Sequence, residues 1–177
     1  MTKLVQRREM NKTRTFYSRH FQWLEEQNVL IYTIIMAVYS LLGRIVLLLI
    51  LSPALFLFPR ETLVTQQPDV PWEIALLLAP VLETIIFQWA PIWLTERLHQ
   101  KAPIQIGVST ALFSLMHYSS GILGILAAAS SGLVFAYIFV RRKKKSTWQA
   151  MATVALTHFW VNCFAYVAIS VKSAYTM

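Results

Sequence analysis

The chain has 177 residues, 56% of them hydrophobic and only 14% charged, with a mean hydropathy of +0.53. That length suits one domain, and apolar stretches near the ~20 residues needed to cross a bilayer exclude an ordinary soluble globule. The net charge of +8 is clustered beside apolar runs, at Lys3, Arg7, Arg8, Lys12, Arg14 and Arg19 and in the block Arg141–Lys145, so it reads as a positive-inside topology signal and not as nucleic-acid binding.

Residues 1–28 are basic, with Phe16, Tyr17, Phe21 and Trp23 interleaved. This suits a cytoplasmic juxtamembrane segment lying on anionic lipid headgroups, or a solvated tail. A transmembrane bundle is expected over 29–171, followed by a tail at 172–177. The first span covers about 29–51, and Ser52-Pro53 is expected to break or bend it. Arg44 is the one basic residue deep inside that span; a structural role, by snorkelling or pairing within the bundle, is expected for it. Residues 59–71 read as an external loop.

The second span, about 72–94, contains Pro80 and Pro91 and is expected to kink. A polar loop, 95–102, leads to a third span at about 103–118 and a tight turn at Ser119-Ser120-Gly121. The fourth span, about 122–140, carries a small-residue face from Ala127 to Gly132 that lets helices approach closely. The fifth covers about 148–171. A cytoplasmic N-terminus then places both basic clusters on one side. The expected fold class is all-α, a polytopic bundle of about five transmembrane spans, most naturally in the cell membrane. Cys163 is the only cysteine, so an intrachain disulfide is excluded.

Among the acidic residues, only Glu83 is flanked on both sides by long apolar sequence. A carboxylate at bilayer depth costs about 2.5–3.5 kcal/mol on insertion scales, which makes it a functional candidate. His117, His158 and Asn162 also interrupt apolar spans. At ~1.5 Å per residue, Glu83 and His158 lie ~16 Å from the cytoplasmic ends of their spans, His117 ~21 Å and Asn162 ~22 Å. Four polar groups from three spans thus fall in one layer near mid-bilayer. His158 and Asn162 share a helix face, as do Phe113 and His117, and Thr84 and Gln88. Gln88 is expected to point away from Glu83 and to serve packing.

These residues form three motifs: Glu83-Thr84-x-x-x-Gln88, Phe113-x-x-x-His117 and His158-x-x-x-Asn162. Over about residues 72–170 the chain resembles the CAAX-protease and bacteriocin-processing (CPBP, or Abi) intramembrane endopeptidases, whose signature is written EExxxR, FxxxH and HxxxN. It departs in the first motif, where Thr84 replaces the second Glu and Gln88 the Arg. Both charges are lost together, so neither is stranded. The resemblance implies hydrolysis of a membrane-associated peptide or protein without a covalent intermediate. Glu83, helped by His117, activates a water, and His158 and Asn162 donate to the developing oxyanion. Thr84, Gln88 and Phe113 support these groups. No cofactor is expected, with a zinc held by two His and one Glu as the alternative. The rival readings are a non-catalytic member acting in immunity or regulation, and a small ion or proton transporter.

Overall fold

The computed structural model describes residues 19–20, 23–55, 57–59, 62 and 70–175, with side chains as far as residue 168. Most of the basic segment at 1–28, with its expected headgroup contacts, lies outside the described residues, as do most of the 59–71 loop and the side chains of the tail. The chain divides into two compact units, Met1–Tyr32 and Thr33–Met177, and the site described below lies in the second.

Five long helices make up the fold: α1 (Val29–Leu55), α2 (Ile74–Arg97), α3 (Ala102–Met116), α4 (Gly121–Arg142) and α5 (Thr147–Tyr175). Among the described residues there are no strands. Four helices (α1, α2, α4 and α5) are long and apolar enough to cross a membrane, while α3 has 15 residues. That is ~22 Å of helix against a hydrocarbon core of ~30 Å. The third span, expected at about 103–118, is present as α3, an apolar helix shorter than the other four. It stops because His117 leaves helical geometry, Tyr118–Ser120 form one 3₁₀ turn, and Gly121 turns the chain at a φ of 75°, where a side chain would be strained.

Prolines inside apolar helices leave carbonyls without backbone donors, and here side chains fill them. The break expected at Ser52-Pro53 does not end α1, which continues to Leu55. Pro53 cannot donate to the Leu49 carbonyl, and Ser52 Oγ donates to it at 2.9 Å. In α2 the chain winds through two π-helical turns, Ile74–Leu78 and Thr84–Trp89, on either side of Pro80. The Ala79 N–H donates to Ile74, five residues back. Continuing that register, the Ala75 carbonyl would need the N–H of residue 80, which is proline. Asn162 Nδ2 of α5 donates there instead, at 2.8 Å. Ser109 Oγ of α3 donates to the Phe87 carbonyl, in the second π turn, at 2.6 Å. The kinks expected in this span thus take the form of widened turns pinned from outside. The helix also runs on through Arg97, past its expected end, and stops at His99, whose φ is 56°.

The small-residue face of α4 is where α1 and α3 dock. Ser40 and Ser131 hydroxyls lie 2.9 Å apart, and Ser130 Oγ donates to the Ser40 carbonyl at 3.2 Å. A Cβ at Gly132 would come within 3.0 Å of Phe113 Cδ1. At the opposite end of α4, Lys143 Nζ meets Glu96 Oε1 at 3.0 Å and Gln105 Oε1 at 3.1 Å, so the end of α2 and the start of α3 join the basic block at one end of the bundle. Exposed Leu42, Ile45, Val46, Leu49, Ile50 and Leu82 give the helices an apolar outer surface, as lipid contact requires. The protein is an integral membrane helical bundle.

Candidate active site

α2 and α5 run antiparallel, because Glu83 lies beside His158 while Ala75, two turns earlier, bonds Asn162. Glu83 Oε2 stands 3.8 Å from His158 Nε2. Its carboxylate is part-exposed, with 27% of the side chain accessible, whereas the imidazole is buried at 6%. At 3.8 Å the pair is too far apart for a direct hydrogen bond, and neither Glu83 Oε2 nor His158 Nδ1 has a hydrogen-bond partner among the described residues.

Aromatic rings hold the imidazoles. Phe135 of α4 lies against His158 with centroids 4.7 Å apart, and Phe113 meets His158 edge-on at 5.7 Å. The same Phe113 ring packs against His117 at 4.8 Å and against Phe135 at 5.7 Å. His117 Nδ1 lies 2.8 Å from the Phe113 carbonyl one turn back, which fixes the ring at the end of α3 and turns Nε2 to other use. No hydrogen bond or ion pair joins His117 to Glu83 or His158; the Phe113 ring packs against both imidazoles. Asn162 sits one turn along α5 from His158, with one of its two amide hydrogens committed to Ala75.

Thr84 and Gln88 are both fully buried. Thr84 Oγ1 donates to the Pro80 carbonyl at 2.6 Å. Neither amide atom of Gln88 has a partner among the described residues. Among those residues no three His, Cys, Asp or Glu side chains are grouped so as to hold a metal ion. The two-His-one-Glu donor set does not converge here, and no step is routed through zinc.

Two contributors were not singled out in the sequence. Phe135 closes one side of His158, and its only signal is its place one turn after Ser131 on the small-residue face of α4. Ala75 matters through its carbonyl, for which Pro80 was the clue.

Fold and site together define a polytopic membrane protein with a carboxylate–imidazole pair set between two antiparallel helices. The family model described as "Type II CAAX prenyl endopeptidase Rce1-like" matches residues 66–164, more than half of the chain and all three motifs. The chain belongs to this Rce1-like family of CAAX-type proteases. Comparison with curated proteins and with solved structures returns no match.

Proposed function

We propose that the chain is an intramembrane endopeptidase that cleaves a membrane-associated peptide or protein through a water activated by Glu83. The observation that carries this reading is the Glu83–His158 pair, unpartnered and partly open, at the positions where the family's motifs fall. Two groups 3.8 Å apart can both reach one water molecule. Glu83 takes a proton from that water as its oxygen bonds to the scissile carbonyl carbon. The oxyanion accepts hydrogen bonds from His158 and from the second amide hydrogen of Asn162, donors worth about 2.7–4 kcal/mol each when removed from such a site. The proton on Glu83 then passes to the departing nitrogen as the C–N bond breaks, leaving a carboxylic acid and an amine. His117 assists from the Phe113 shelf, and Thr84, Gln88 and Phe113 hold the frame. No cofactor takes part.

The basic end of the bundle supports a cytoplasmic N-terminus in the cell membrane. The test is a comparison of membrane peptides from cells carrying the intact chain or Glu83→Gln. New C-termini that depend on Glu83 are expected; identical peptide sets would refute the assignment.

A further inference from the structure

Arg44 is a cation deep in a membrane helix that pairs with no carboxylate among the described residues. It lies ~22 Å from the Val29 end of α1 and ~16 Å from the Leu55 end, counting ~1.5 Å per residue. A long basic side chain at this depth usually stretches along the helix toward the headgroups. Arg44 instead turns into the bundle: Nε and Nη2 both donate to Ser131 Oγ on α4, at 3.0 and 2.6 Å. Ser131 also meets Ser40. Among the described residues, Ser131 is the one polar partner of the guanidinium, through Nε and Nη2. No carboxylate among the described residues pairs with it. A buried cation satisfied by a single hydroxyl is an incomplete arrangement, because desolvating a charge costs several kcal/mol unless an opposite charge offsets it.

Its place in the bundle says where the missing anion would come from. Ser131 is one turn from Phe135 on α4, and the Phe135 ring lies against His158. Arg44 therefore stands about a turn beyond the Glu83–His158 pair, on the far side of one phenylalanine. Headgroup phosphates lie outside the hydrocarbon, whereas the guanidinium is held by Ser131 on α4. A ligand that occupies the pair and carries an anion at its end fits the position.

We propose that Arg44 is an anion-binding residue of the substrate site, holding the C-terminal carboxylate of a bound peptide through Nη1 and its forked neighbours. An arginine fork suits a carboxylate because two parallel N–H donors match its two oxygens. This inference rests on the peptidase reading for the identity of the ligand, but its test needs no cleavage.

Binding is measured with the Glu83→Gln protein in phosphatidylcholine nanodiscs, using an apolar peptide with a free C-terminal carboxylate and the same peptide amidated. The free acid should bind at least about tenfold more tightly, as expected for a charge-assisted pair sheltered from water. Adding Arg44→Gln should reduce the acid to the affinity of the amide while leaving the amide unchanged, which also shows that the variant is folded. Arg44→Lys should keep part of the preference. Equal affinity for acid and amide, or a preference that survives Arg44→Gln, overturns the proposal. A second arm adds phosphatidylglycerol. If that lipid abolishes the acid preference and raises the melting temperature only when Arg44 is present, the anion is a lipid phosphate, and the peptide assignment is overturned. An acid preference that depends on Arg44, in a protein that cleaves nothing, would sink the peptidase reading and leave this inference standing.

Discussion

Asn162→Ala should destabilise the bundle, and Pro80→Ala should cancel that effect. The Ala75 carbonyl has no backbone donor, because the Ala79 N–H goes to Ile74 and residue 80 is proline, so the Asn162 amide is its partner. An orphaned buried carbonyl costs about 1–3 kcal/mol in soluble proteins. In a membrane the relevant figure is lower. The carbonyl is already orphaned in the separated helix, so only the net interhelical bond is lost, about 0.6 kcal/mol on average and at most about 1.7. A loss near ~1 kcal/mol is therefore expected for Asn162→Ala. Alanine at position 80 restores an N–H, which can serve Ala75 in the π register or free Ala79 to serve it in the α register. In that background Asn162→Ala should cost close to nothing. Unfolding in mixed micelles, followed by tryptophan fluorescence for the four proteins of the cycle, measures the coupling directly. Additive effects, with Asn162→Ala equally costly in both backgrounds, would refute the argument that this amide stands in for a backbone donor.

Ser109→Ala removes the donor to the Phe87 carbonyl and should cost ~1 kcal/mol in the same unfolding assay, for the same reason. Gly132→Ala should be more damaging than Gly107→Ala: the new methyl at 132 would press on Phe113, which supports both imidazoles, whereas nothing lies within 4 Å at 107. The melting temperature should fall for the first and hold or rise for the second. Thr84→Glu and Gln88→Arg should each cost about 3–5 kcal/mol alone, since each strands a charge at a fully buried position, and clearly less together, measured as a double-mutant cycle. Lys143→Ala should shift stability by about 1 kcal/mol or less, because its partner Glu96 is more than half exposed.

How much could be read from the sequence follows from what apolar periodicity encodes. The four long spans were legible because lipid-facing helices must be apolar over their whole length, and Glu83, His117, His158 and Asn162 stood out because polar groups are costly there. The height of these residues was also legible, since helical rise is fixed, and it anticipated that Glu83 and His158 would lie side by side. What escaped was rotation and local winding. The π turns of α2 place the Ala75 and Phe87 carbonyls against donors on α5 and α3, which is a tertiary matter. For the same reason Ser52-Pro53 looked like a helix break, although a hydroxyl within the helix repairs it. The third apolar run was legible as a helix too, and it stands as the 15-residue α3. Arg44 was visible as an oddity, but nothing in its own helix pointed to Ser131, 87 residues away.

Cleavage by purified protein in proteoliposomes decides the matter most plainly. A membrane-inserted peptide is incubated with wild type, Glu83→Gln and His158→Ala, and the products are read by mass spectrometry. Wild type should release two fragments that account for the whole peptide plus one water, and Glu83→Gln should release none. Equal cleavage by wild type and Glu83→Gln would contradict the assignment of Glu83 as the base that activates water.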